Sequence, residues 1–237
     1  MRLNKFLSHA GVCSRRQADS LVQEGRVKVN GKVVLELGLK VEEKDLVHVD
    51  GVKVAQQEKL RVWRHYKPLG LVTTHKDPQN RPTVFDALDK SLGRLISVGR
   101  LDLNSEGLLL LTNSPEFATK AQEPKNGWDR VYKVRVHGTL EEKRLFGLLK
   151  GVTIDGVTYK CKDIEIERIG STNHWLKVTL DEGKNKEIRR LMNHIDLEVN
   201  KLIRIQYGPF YLSDLKSGGI EEISESILKK QQKFLTT

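Results

Sequence analysis

The segment Ser97-Val98-Gly99-Arg100-Leu101-Asp102-Leu103-Asn104-Ser105-Glu106-Gly107 sets a carboxylate in a tight loop that runs into four consecutive leucines. An ionised carboxylate held there can act as a nucleophile, a base or a cation ligand. Asp102, Asn104 and Gly107 partly imitate a calcium loop, but Asn113 stands where the closing bidentate glutamate belongs. A turn residue that accepts backbone N–H groups is the commonest fate of a loop aspartate. Other metal and phosphate chemistry finds little support. The two cysteines, Cys13 and Cys161, have no CxxC spacing and no His-x-x-x-His partner. Gly183-Lys184-Asn185 lacks both the first glycine and the following Ser or Thr of a P-loop.

Anion recognition has a better candidate near the N-terminus. Residues 1–40 carry Arg2, Lys5, Arg15, Arg16, Arg26, Lys28, Lys32 and Lys40 against Asp19, Glu24 and Glu36. Arg15 and Arg16 fall in the first turn of a predicted helix, where the macrodipole disfavours cations. A docked phosphate would reverse that penalty, using the helix terminus and the guanidinium forks together. A solvated basic face is the alternative. Across the chain 41 Lys and Arg face 31 Asp and Glu, a net charge of +10 that favours a polyanionic partner.

These residues need elements to hold them. Leu3, Phe6, Leu7 and Ala10 recur at helical spacing before Gly11, and Ser14 with Gln17 reads as a capping box that opens a second helix. Asn30-Gly31, Asp50-Gly51 and Asp155-Gly156 signal two-residue hairpin turns. Leu60, Val62 and Arg64 alternate with Arg61, Trp63 and His65, as in a strand, and Leu108 to Leu111 is short enough for a buried strand. Thr139 and Glu142 predict a capped helix, and strands follow near 163–169 and 174–180. Ile188, Leu191, Met192 and Ile195 predict a helix near the end of the series. Without a regular βαβ rhythm, the expected fold is α+β with a mixed, mainly antiparallel sheet. At 237 residues and 38% apolar, two domains fit: a small one over 1–55, a linker over 56–60 and a larger one over 61–237. No stretch approaches the ~20 apolar residues of a membrane span. A cytoplasmic monomer with no membrane partner is expected.

The stretch RLNKFLSHAGVCSRRQADSLVQEGRVKVNGKVV resembles an S4 domain, a small RNA-binding module. GRLDLNSEGLLLLTN is similar to the catalytic motif of pseudouridine synthases of the RsuA and RluB branch, which modify ribosomal RNA. HYKPLGLVTTHKDPQNRPTVFDAL before it and DEGKNKEIRRLMNHI after it match further motifs in the expected order. KLIRIQYGPFYLSDLKSGGIEEIS is closer to the RluB type than to RsuA.

The resemblance implies conversion of uridine to pseudouridine in ribosomal RNA, 23S before 16S, with no redox change, no cofactor and no metal. It implies Asp102 as the reacting carboxylate, as nucleophile at C1′ or base at the 2′-hydrogen, Tyr132 against the uracil, and Arg189 as the cation that pairs with Asp102. Guanidinium geometry suits such a pairing. Arg190 is the alternative cation. Arg100, Ile188 and Leu191 are expected around the substrate, and Lys67 as a structural or RNA-binding residue. Lys5, Arg15, Arg16, Arg26, Lys28, Lys186 and Arg190 are the expected RNA contacts. The rival reading is a non-catalytic RNA-binding or ribosome-assembly factor that keeps the S4 module.

Overall fold

The computed structural model describes residues 1–42, 44–55 and 59–235, so residues 56–58 of the expected linker lie outside the described residues. The N-terminal unit packs helices Leu3–His9 and Arg15–Gln23 on a four-stranded antiparallel sheet of Lys32–Val33, Val27–Val29, Val47–Val49 and Val52–Lys53. Leu3, Leu7, Ala18, Val22, Val27 and Val47 form its own small core. The capping box is present: Gln17 N–H donates to Ser14 Oγ at 3.2 Å, and Ser14 N–H to Gln17 Oε1 at 3.0 Å. Asn30-Gly31, Asp50-Gly51 and Asp155-Gly156 all hold both residues at positive φ, as two-residue hairpin turns require.

The larger unit is built on a nine-stranded sheet. Its main path runs Asp163–Arg168, Asn173–Leu180, Arg130–His137, Glu198–Tyr207, Glu106–Thr112, Val62–Lys67, Ile220–Glu222. Phe210–Tyr211 and Ile96–Ser97 pair at the side of this path. Every named pairing is antiparallel except that of Glu198–Tyr207 with Glu106–Thr112. The mixed, mainly antiparallel α+β architecture expected from the sequence is the one observed.

The leucine run explains why this sheet is stiff beneath the Asp102 loop. Leu108, Leu109, Leu110 and Leu111 are all 1% exposed or less, because the strand has a core on each face. Leu109 and Leu111 join one apolar cluster with Trp63 and Val134, while Leu108 and Leu110 join another with Val62 and Phe117. A strand buried on both faces needs a continuous apolar run instead of an alternating one. Each such leucine contributes roughly 1.5–3 kcal/mol by burial.

One helix start differs from expectation. Thr139 does not cap the helix Glu142–Gly147; Glu141 is its N-cap, and no side chain caps it. Leu140 instead packs against the main core, which carries the chain past Thr139 before the helix begins.

Candidate active site

Asp102 stands exposed at the wall of a cavity of about 540 Å³, with Tyr132, Arg204, Arg100 and Glu187 among its lining residues. The loop that presents it is held by its backbone. Thr73 Oγ1 donates to Leu101 O at 2.9 Å, Ser105 N–H to Asp102 O at 3.0 Å, and Gly70 N–H to Leu103 O at 3.0 Å. Arg189 Nη2 donates to Asn104 O at 2.7 Å, and Lys67 Nζ to Ser105 O at 2.8 Å. Five successive carbonyls are thus engaged, and the carboxylate of Asp102 is left open to the cavity. A reacting group benefits from this arrangement, because its position is fixed without using the atoms that react.

That geometry corrects the expectation for Arg189 and, for Lys67, favours the structural alternative over RNA contact. Arg189 does not hydrogen-bond the Asp102 carboxylate: its other guanidinium nitrogen donates to Val199 O at 2.9 Å, so the side chain ties the loop to the strand Glu198–Tyr207. Lys67 is fully buried and cannot meet RNA at the surface. Its ammonium donates to Pro68 O and Ser105 O. Burial lowers its pKa to about 8, against the opposing negative charges of Asp102 and Glu106.

Tyr132 lies on Arg130–His137, 8% exposed, directly opposite Arg204 on one neighbouring strand and Val178 on the other. Ile188 also lines the cavity, whereas Leu191 is buried in the main core away from it. Arg190 pairs with Asp155 at 3.1 Å and lies over the Tyr159 ring. Lys186 is exposed at the rim, in the left-handed conformation that precedes the helix Glu187–His194.

Among the described residues no group of three His, Cys, Asp or Glu side chains is placed to hold a metal ion. Asn113, which a calcium loop would need as its last ligand, donates to Lys59 O and accepts from Arg61 N–H.

Sequence reasoning gave no role to Glu187, Arg130 or Arg204. Arg130 spans the mouth of the cavity, donating to Asp181 O at 3.1 Å and to Tyr207 Oη at 3.3 Å. Glu187 is 3% exposed, and one carboxyl oxygen accepts from Lys184 N–H at 2.9 Å. Burial pushes its pKa up to about 7, and the charge of Glu182 adds to the rise. A carboxyl whose pKa is raised on folding stabilises the fold fully below its ordinary value of 4.5, and this contribution is lost as pH rises through about 7. Glu187→Gln removes that titration. The melting temperature of the wild type should therefore fall relative to the variant between about pH 5 and pH 8. Parallel curves from thermal melts across this window would contradict the assignment.

On the N-terminal unit Arg15 and Arg16 are exposed at the first two positions of their helix, whose first turn has no acidic residue. Lys28 is exposed on Val27–Val29, an inner strand of the four-stranded sheet. Lys5 and Arg26 are already engaged by carboxylates: Lys5 by Glu116 at 2.9 Å, and Arg26 by Asp50 at 2.6 Å and Glu24 at 3.0 Å.

Residues 61–194 match the family described as RNA pseudouridylate synthase, and residues 1–47 match the S4 domain. The chain is 48% identical over 229 residues to a Rickettsia felis protein named an uncharacterized RNA pseudouridine synthase, covering 97% of this chain and 99% of the relative. It is 40% identical over 230 residues to a Salmonella typhi protein named ribosomal large subunit pseudouridine synthase B, covering 94% of this chain and 79% of that one. A solved structure described as a pseudouridylate synthase superposes with a TM-score of 0.67 at 25% identity, covering 97% of this chain and 99% of its own.

Proposed function

The chain belongs to the RNA pseudouridylate synthase family, and from that premise we propose that it isomerises a uridine of ribosomal RNA, in the 23S rather than the 16S molecule, with Asp102 as the reacting carboxylate. The observation that carries the residue assignment is the Asp102 loop, pinned at five carbonyls while its carboxylate stays free in the cavity. The large-subunit preference is supported by the Salmonella typhi relative and its name.

A uridine inside folded RNA must be extruded at a cost of a few kcal/mol before its sugar can be reached. The cavity volume is that of a small-molecule site, large enough for one flipped nucleoside. Tyr132 offers the flat face on which the uracil stacks, worth ~1 to 3 kcal/mol. Asp102 then acts at the sugar. The bond from N1 to C1′ breaks with its electron pair on the uracil, the base turns, and C5 joins C1′. The proton lost from C5 is balanced by one gained at N1, so atoms and charge close with no redox partner. Arg100, Lys184 and Lys186 at the rim suit the phosphates that flank the flipped nucleotide.

In this reading residues 1–55 supply affinity and residues 61–237 supply chemistry, in the cytoplasm where ribosomal RNA is made. Arg15 and Arg16 carry the division, since two exposed cations at a helix N-terminus are favoured once a phosphate docks between them. Replacing both with Gln should weaken RNA binding and lower the log-log salt slope by about one unit per lost phosphate contact. The maximal rate at saturating RNA should hold. Unchanged affinity and slope with a collapsed rate would contradict the division. Tritium release from 5-tritiated uridine in separate 23S and 16S transcripts tests the substrate, with 23S expected to react.

A further inference from the structure

Resting on the pseudouridine synthase reading, we infer that Arg204 is a further catalytic residue: its guanidinium, which lines the cavity and keeps one nitrogen unpartnered, donates to a carbonyl oxygen of the flipped uracil and stabilises the charge that the base acquires as its bond to C1′ breaks.

Arg204 is 3% exposed in the middle of the strand Glu198–Tyr207. Nε donates to Leu108 O at 2.7 Å, and the guanidinium carbon lies 5.0 Å from the centre of the Tyr207 ring. Nη2 is shut off from water and has no hydrogen-bond partner among the described residues. A buried guanidinium with a free donor is expensive, by several kcal/mol, and is retained where a ligand completes it. The acid beside it in the sheet turns to other groups: Glu106 Oε2 accepts from Tyr66 Oη at 3.1 Å, and Oε1 lies 3.1 Å from Lys201 Nζ without a hydrogen bond. Lys67 is a second buried cation near enough to repel Arg204, which deepens the demand for negative charge.

Register gives the direction. Arg204 lies directly opposite Tyr132 on the antiparallel neighbour, so the two side chains share a face of the sheet, and both line the cavity with Asp102. On its other side Arg204 pairs with Gly107, which puts no side chain between it and the end of the Asp102 loop. The exposed cations at the rim suit phosphates; a cation buried behind the stacking tyrosine suits the base. Heterolysis of N1–C1′ leaves a negative charge spread over N1 and the two uracil carbonyl oxygens. A fixed donor in a dry wall stabilises such charge most strongly as it forms. When C5 joins C1′ and N1 takes up a proton, the charge is gone and the interaction weakens again.

The test compares wild type, Arg204→Met and Arg204→Lys under single turnover at saturating RNA, on otherwise identical RNAs with uridine or 5-fluorouridine at the target. Fluorine withdraws electrons and makes the uracil a better leaving group, so it needs less help. Consumption of the target nucleoside is read by digestion and mass spectrometry. Arg204→Met should slow reaction of uridine by about a hundredfold or more, and of 5-fluorouridine at least about tenfold less. Arg204→Lys, which keeps the buried charge, should fall between, and carries the same comparison if the methionine variant does not fold. Equal slowing on both RNAs, or no slowing, overturns the proposal and leaves Arg204 a packing residue. A wild type that consumes neither nucleoside would instead sink the pseudouridine synthase reading itself.

Discussion

Asp102→Asn should abolish isomerisation, lowering the single-turnover rate by at least about a thousandfold, while RNA affinity stays within a few-fold of wild type. The amide keeps the shape of the carboxylate but can neither attack C1′ nor take up a proton. The rest of the loop should not notice the change, because its carbonyls are held by Thr73, Gly70, Arg189 and Lys67 and not by the Asp102 side chain. Melting temperature should accordingly move little. Tritium release measures the rate, and activity within tenfold of wild type would remove Asp102 from the mechanism.

The second large effect is structural. Gly107→Ala should destabilise the protein by about 3 kcal/mol or more. Gly107 sits at φ +101, and a Cβ there would lie 2.4 Å from Arg204 O, 2.8 Å from Arg204 N and 2.9 Å from Ile203 Cγ2. Two of these neighbours are backbone, in the one parallel pairing of the sheet, so the strands themselves would have to part. At roughly 2–4 °C per kcal/mol for a chain of this size, the melting temperature should fall by about 6 °C or more. Residual folded protein should also be slow, since the strand that carries Arg204 and the end of the Asp102 loop would both shift. A melt within about 2 °C of wild type would show that the close approach is not tight.

How much of this was legible beforehand depended on whether a feature is written in side chains. The hairpin turns at Asn30-Gly31, Asp50-Gly51 and Asp155-Gly156 could be read because only a few residue types tolerate two successive positive φ angles. The leucine run could be read because a doubly buried strand has no polar face to show. The strand Glu198–Tyr207 was not identified from periodicity. Register shifts after Val199 and after Arg204 break the alternation and bring Val199, Leu202, Arg204 and Tyr207 inward at uneven intervals. Arg204 then looked like any solvated cation.

The grip on the Asp102 loop was invisible for a different reason. Its acceptors are backbone carbonyls, which every residue has, so nothing at Asn104 or Ser105 announces that Arg189 and Lys67 will bind there. The resemblance to the family sent Arg189 to the carboxylate. The folded loop instead uses both cations to fix the main chain around it, while Arg204, with one guanidinium nitrogen unpartnered, lines the cavity with Tyr132.

The central claim is that this chain makes pseudouridine in ribosomal RNA, and the most direct measurement is carbodiimide-dependent primer extension across both ribosomal RNAs from cells with and without it. A stop in 23S RNA should vanish when the chain is absent, return with the wild-type protein and fail to return with Asp102→Asn. An unchanged set of stops in both RNAs would contradict the account.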